Sequence, residues 1–223
     1  MHRSRTADAL ISQLIHERNA DVVIISEQYG EISCGTFLAD CSGTAAIWLP
    51  CAEKFSFSAS GAGDGHVWVR NRNFTLMSCY LTPSDSIGQF QMKLDAIEDC
   101  VLQMGGNFII AGDFNSKAIE WGMMTTNPRG RRVLDMAARL GLVVANRGMS
   151  PTFRRPGCEG TIPDITLVSE KIAGTLKEWS VLEDYTGIGG LKKLLNFEGS
   201  VSKCGGEGPG PEHGEMPRQK AKH

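Results

Sequence analysis

No stretch of the 223-residue chain approaches the ~20 consecutive apolar residues that a membrane span needs, so no membrane segment is expected. A secretory leader is not expected either, because residues 1–20 are charged and carry a helical pattern. The chain also lacks charge of one sign: 23 Lys and Arg stand against 25 Asp and Glu, for a net charge of −2. That excludes the global basic field that would by itself announce a nucleic-acid partner. C-x-x-C is absent, and the seven cysteines (Cys34, Cys41, Cys51, Cys79, Cys100, Cys158 and Cys204) are odd in number, several of them inside apolar runs. This reads as reduced thiols in an intracellular protein and speaks against a zinc site. What is present, 41% hydrophobic and 22% charged residues, suits one large globular domain with a real core.

The chain is organised around residues 107–115, N-F-I-I-A-G-D-F-N. Phe108, Ile109, Ile110 and Ala111 run without polar interruption, as a strand buried on both faces does. Gly112 ends the run, and Asp113 and Asn115 follow at once. In open α/β sheets, ligands bind at the carboxyl ends of strands. An isolated G-D-x-N is also turn chemistry, since Gly, Asp and Asn favour turns. A site and a turn both remain open from this stretch alone.

Ala7, Leu10, Ile11, Leu14 and Ile15 give residues 4–19 the spacing of an amphipathic helix. Residues 21–26, D-V-V-I-I-S, read as a second buried strand with Glu27 at its carboxyl end. A lone carboxylate is costly in a core, so Glu27 is a candidate functional group. Short strands are expected at 45–49, 55–60, 66–70 and 74–81, separated by Gly, Asp and Asn. His66, beside G-A-G-D-G, reads as a loop residue, and Tyr80 as a strand-end aromatic that could simply pack. Ser84 or Asp85 can cap a helix whose apolar face is Phe90, Leu94, Ile97, Val101 and Met104, stopped by Gly105-Gly106. Strand, helix and the strand bearing Asp113 then form a β-α-β unit.

Asn127-Pro128 opens a further helix that Gly141 ends. Arg129, Arg131 and Arg132 crowd its first turn, the wrong end for the helix dipole. They either bind an anion or are solvated. Strands are expected at 142–145 and 165–168, with Asp164 at the start of the latter and a basic loop at 153–157 before it; 179–182 is a further candidate. From residue 188 on, Gly, Pro, Glu and Lys dominate and no hydrophobic period survives, so 188–223 reads as a disordered tail.

Glu27, Tyr80, Asp113 and Asn115 thus fall at or near strand ends. Hard oxygen donors of this kind suit Mg²⁺, held by one or two carboxylates plus water and substrate phosphate. Such an ion neutralises a phosphodiester and stabilises its leaving oxygen. Asp113 could orient or deprotonate an attacking water, and Asn115 could hold it or a phosphate oxygen.

I-S-E at 25–27, S-C-Y-L-T-P at 78–83, G-D-F-N-S at 112–116 and the aspartate of T-I-P-D at 161–164 follow the order found in the exonuclease–endonuclease–phosphatase superfamily. More narrowly, residues 2–187 resemble the endonuclease domain of arthropod non-LTR (LINE-type) retrotransposons. A-G-D-F-N-S-K-A-I-E-W-G at 111–122, R-G-R-R-V-L-D-M-A-A-R-L-G-L at 129–142 and P-T-F-R-R-P-G at 151–157 carry that resemblance. It implies an α/β fold, a four-layer sandwich of two mixed sheets flanked by helices. It also implies Mg²⁺-dependent cleavage of DNA phosphodiesters, with Mn²⁺ as a substitute, to prime the reverse transcriptase of an intact parent element. By match, Glu27 would be the metal ligand and Tyr80 would contact the scissile phosphate. Asp113 would align the attacking water, Asn115 would support it, and Asp164 would orient a catalytic histidine. Arg154 and Arg155 would lie near DNA phosphate. The location implied is nuclear.

The family pattern is incomplete at both ends. Its first strand, ending in a metal-holding asparagine, has no counterpart before Glu27, and the S-D-H of its last strand does not follow Asp184-Tyr185-Thr186-Gly187. The expectation is therefore a domain over 1–187 lacking its first and last core strands, with impaired cutting. The alternatives are a DNA-binding remnant or gene-model fragment, and a phosphatase of small phosphoesters.

Overall fold

The computed structural model describes residues 12–26, 35–51, 53–154, 157, 159–176, 179–181 and 191–195. Strands β1 (Val22–Ser26), β2 (Thr36–Ala39), β3 (Ala45–Leu49) and β10 (Leu191–Leu195) form one sheet in the order β10-β1-β3-β2. The other sheet holds β4 (Ala59–Gly63), β5 (His66–Arg70), β6 (Thr75–Tyr80), β7 (Phe108–Asp113), β8 (Leu142–Val144) and β9 (Asp164–Ser169), ordered β4-β5-β6-β7-β9-β8. Pairing is antiparallel except between β6 and β7. The helices are α1 over residues 12–18, α2 (Ile87–Met104), α3 (Pro128–Arg139) and the short α4 (Glu170–Ala173). No helix among the described residues is long and apolar enough to cross a membrane.

The alternation of side chains along each strand sorts the core into layers. Val22 and Ile24 of β1 and Ile47 and Leu49 of β3 meet Val67, Val69, Leu76, Ile109, Ala111 and Val168 of the other sheet. The outer face of the first sheet, Val23, Ile25, Ala46 and Trp48, packs against Ile15 of α1. The outer face of the second, Met77, Cys79, Phe108, Ile110, Ile165 and Leu167, lies under Phe90, Leu94, Ile97 and Val101 of α2 and Val133, Met136 and Ala137 of α3. Helix, sheet, sheet and helix make the four layers expected from the sequence. The β6-α2-β7 unit is also as expected, with β6 and β7 parallel and paired from Thr75↔Phe108 to Tyr80↔Asp113.

Several elements differ from the sequence reading. The helix cap is Ser86, not Ser84 or Asp85. Its hydroxyl accepts from the Gln89 N–H at 3.3 Å, while the Ser86 N–H donates to Gln89 Oε1 at 2.9 Å, a reciprocal box. The strand expected at 55–60 begins only at Ala59, because Phe55 and Phe57 pack into the inter-sheet core instead of alternating on a sheet. His66 is the buried first residue of β5, not a loop residue. Residues 179–181 form no strand, and the Trp179 indole N–H donates to Thr166 Oγ1 at 3.2 Å. Leu191–Leu195, inside the stretch expected to be structureless, pairs antiparallel with β1 from Val22↔Leu195 to Ile25↔Leu191. L-K-K-L-L is a short run that propensity alone does not order, and the open edge of a buried strand supplies the partner.

Asp40 joins the two sheets at one end. Its buried carboxylate accepts the N–H groups of Thr44 at 2.5 Å, Ala45 at 2.8 Å and Gly65 at 3.0 Å, and the Thr44 hydroxyl at 3.1 Å. The first two close the β2–β3 turn, and the third holds the β4–β5 turn. Asp40→Ala leaves buried donors unmet and is expected to cost about 2–4 kcal/mol, read from urea unfolding. A loss under about 1 kcal/mol would mean that the two hairpins are held together elsewhere.

Candidate active site

Tyr80 ends β6, Asp113 ends β7 and Asp164 starts β9. Register places Tyr80 opposite Asp113 and Asp113 opposite Asp164. Residues paired this way share a face, so the three form one row across adjacent strands on the side that looks toward the first sheet. With strands ~4.8 Å apart, the row is about 10 Å long. All three are buried: Tyr80 is 9% exposed, Asp113 3% and Asp164 0%.

The row is held mostly by backbone. The Tyr80 N–H donates to the Gly65 carbonyl at 2.8 Å, and the Leu81 N–H to the Asp113 carbonyl at 2.9 Å. Asp113 Oδ1 accepts the Asn115 N–H at 2.9 Å, the turn expected of D-x-N. Asn115 sits at φ 45°, and its Nδ2 donates to the Leu81 carbonyl at 3.1 Å. The turn expected of this stretch is present, and it joins the Asp113 carboxylate to the Asn115 backbone while the Asn115 side chain bonds to Leu81.

Glu27 lies outside the described residues, as does Arg155. The residue before Glu27 is Ser26, and its hydroxyl accepts the Asp113 N–H at 3.2 Å and donates to the Cys79 carbonyl at 3.4 Å. The carboxyl end of β1 thus touches the carboxyl ends of β6 and β7. Arg154 is exposed, after the isolated bridge Phe153↔Thr161.

Two residues that sequence reasoning passed over position this end. Ser26 is one. The other is Asn146, which follows β8: its Nδ2 donates to the Asp164 carbonyl at 2.8 Å and its Oδ1 accepts the Thr166 N–H at 2.8 Å. It extends the sheet pairing by one side chain and fixes the start of β9. A polar residue after a short apolar run looks like a loop residue, so the sequence offers no signal for it.

Arg129 is neither solvated nor turned to an anion. It donates to the carbonyls of Thr82 at 3.0 Å, Pro83 at 3.2 Å and Asp85, and lies 4.8 Å over the Phe90 ring. It clamps the loop that follows Tyr80 onto α2. Arg132 donates to Gln91 Oε1 at 2.5 Å, and Arg131 is exposed. His66 is a further buried titratable group near this end. Burial is the main influence and pulls its pKa below 6.5, against the opposing pull of Asp64 and Asp40. It pairs with Cys79 on the helix-facing side of the sheet, away from the row.

The donors gathered here are hard: a carboxylate, a carboxamide and a phenol oxygen. No group of three His, Cys, Asp or Glu side chains among the described residues could hold a metal by itself. Mg²⁺ does not need such a cage, because it keeps waters and takes one or two carboxylates together with substrate phosphate. The residues present therefore fit that ion.

Residues 74–187 match the family model described as endonuclease-reverse transcriptase. Among solved structures, the chain is similar to the endonuclease domain of TRAS1, a telomere-specific non-LTR retrotransposon, at 26% identity and a TM-score of 0.66, over 81% of this chain and 87% of that one. No curated protein matches it. The matched segment carries Tyr80, Asp113, Asn115 and Asp164 together, which are the residues the fold brings into one row and its adjoining turn. The chain belongs to the endonuclease-reverse transcriptase family.

Proposed function

We propose that this protein is a Mg²⁺-dependent DNA endonuclease of a non-LTR retrotransposon, acting in the nucleus. Its cut would leave the end from which the reverse transcriptase of a parent element starts. One observation carries the reading: Tyr80, Asp113 and Asp164 share a buried row at the strand ends, next to Ser26 and hence one peptide bond from Glu27. Glu27 would hold the ion, which when bound neutralises phosphodiester charge and stabilises the leaving oxygen.

The chain's own groups do the rest. The Asp113 carboxylate orients a water for in-line attack and takes up its proton. The Asn115 carboxamide, fixed by its bond to Leu81, holds that water or a phosphate oxygen. The Tyr80 hydroxyl donates to a non-bridging phosphate oxygen as charge builds on it. Asp164 stiffens the far end of the row, and Arg154 and Arg155 lie near DNA phosphate.

A second reading has its own support. Both described histidines, His16 in α1 and His66 on the opposite sheet face, lie off the row, so no described histidine takes the catalytic place that the resemblance implies. Under that reading the protein binds DNA and cuts it slowly or not at all. Supercoiled plasmid incubated with Mg²⁺ or with EDTA, beside a binding isotherm at several salt concentrations, decides. Nicking that EDTA abolishes is the expected result. Salt-dependent binding without nicking favours the second reading, and neither binding nor nicking removes both.

A further inference from the structure

The loops that carry the chain away from the row are anchored on one helix. Residues 81–86 follow Tyr80 and residues 114–118 follow Asp113, and both meet the first turn of α3. Asn127 holds the second loop. Its Oδ1 accepts the Lys117 N–H at 3.1 Å and the Gly130 N–H at 2.8 Å, and its own N–H donates to the Lys117 carbonyl at 2.9 Å. Gly130 permits the approach, because an added Cβ would overlap the Lys117 carbonyl oxygen and lie 3.3 Å from Ala118 Cβ. Arg129 holds the first loop, through the carbonyls of Thr82, Pro83 and Asp85.

Asn115 bridges the two anchored loops. Its Nδ2 donates to the Leu81 carbonyl, one residue before the first carbonyl that Arg129 grips. Its φ of 45° is uncommon outside glycine, and such a conformation persists only where its surroundings over-determine it. Arg129 is suited to fixing the far side of that bridge. A guanidinium offers a rigid fork of five N–H donors, and this one lies 4.8 Å over the fully buried Phe90 ring. A lysine head is a compact point charge and does not reproduce the fork. Both terminal nitrogens of Arg129 are committed to protein carbonyls, so the fork is not open to grip a DNA phosphate.

We propose that Arg129 is a positioning residue for phosphodiester cleavage. It keeps the loop after Tyr80 where the Leu81 carbonyl meets the Asn115 carboxamide, and so acts on the reaction through Asn115 without touching DNA. The proposal rests on the endonuclease reading above and adds to it a residue remote from the reacting atoms. Misplacing a catalytic group by about 1 Å costs about a hundredfold in rate, which sets the scale of the effect.

The test is a double-mutant cycle in the full chain, read as kcat and KM for DNA nicking. Arg129→Lys should lower kcat about tenfold to a hundredfold and leave KM unchanged. Asn115→Gly removes the carboxamide and accepts the same left-handed backbone. In that background Arg129→Lys should lower kcat by no more than about twofold, because residues that act as one unit are not additive. Two readouts do not depend on cutting. Amide exchange at Leu81 and Asn115, without metal or DNA, should quicken in Arg129→Lys. The salt slope of DNA binding should not change in Arg129→Gln, whereas loss of a phosphate contact lowers it by about one. Wild-type kcat in Arg129→Lys overturns this inference and leaves the endonuclease reading intact. So do losses that multiply in the cycle, unchanged exchange at Leu81 and Asn115, or a salt slope lowered by about one in Arg129→Gln. A lowered urea midpoint with wild-type kcat per folded molecule also overturns it, by assigning Arg129 to stability alone. A wild-type protein that does not nick removes the endonuclease reading, and this inference with it.

Discussion

The Gly112→Ala protein is expected to lose about 4 kcal/mol or more of stability, enough to unfold an ordinary domain or leave it barely folded. Gly112 stands in β7 opposite Cys79 of β6, in the interior of the second sheet. A Cβ at this position would overlap the Cys79 carbonyl oxygen and lie 2.7 Å from its carbonyl carbon, and the backbone there has φ 156°. The obstacle is main chain, so no rotamer change relieves it. Moving β6 away would break the pairing that sets Tyr80 against Asp113. Gly43→Ala is the matched control: it also has positive φ, 69°, but nothing lies within 4 Å of an added Cβ. That variant should lose only the ~1–2 kcal/mol of left-handed strain. Urea unfolding followed by tryptophan fluorescence measures both. Similar losses at the two positions would mean that backbone strain, not the close approach of β6 and β7, makes glycine necessary at 112.

The same closeness separates what the sequence could show from what it could not. Strands β1 and β7 were legible because both faces are buried, which makes V-V-I-I and F-I-I-A continuous apolar runs. β2 was not legible, since each residue of Thr36–Ala39 is only half-buried and the run does not alternate. β4 was misplaced by three or four residues because F-S-F-S has the period of a strand while A-S-G-A-G does not. Yet the phenylalanines are spent on the inter-sheet core, with Phe55 and Phe74 rings 6.2 Å apart, and the Gly-rich segment is a strand only because β5 pairs with it. Tyr80, Asp113 and Asn115 could each be named from their positions at or near strand ends, and Asp164 only from the family resemblance. That three of them form one row depends on register between strands far apart in sequence. Ser26 and Asn146 were invisible for another reason: a hydroxyl or amide that replaces one backbone hydrogen bond has no periodicity to betray it.

Plasmid nicking by the Asp113→Asn protein should fall about a thousandfold or more, within the range for losing a group that acts on the transition state. Asparagine is the sharper substitution than alanine. The amide oxygen can still accept the Asn115 N–H that Asp113 Oδ1 accepts at 2.9 Å, and the backbone bonds to Ser26 and Leu81 do not involve the side chain. The turn, the row and the fold are therefore kept, and only negative charge and basicity are lost. Stability should stay within about 1 kcal/mol of wild type. DNA affinity should hold or rise, because removing a carboxylate beside a phosphate removes repulsion, and the salt slope should not move. This combination, with cutting lost while binding and folding are retained, belongs to a residue that touches the reacting atoms. Equal nicking by both proteins would take Asp113 out of the mechanism. If the wild-type protein binds without nicking, tighter binding by Asp113→Asn is the expected signature. It would place the phosphate against this carboxylate even in a protein that no longer cuts.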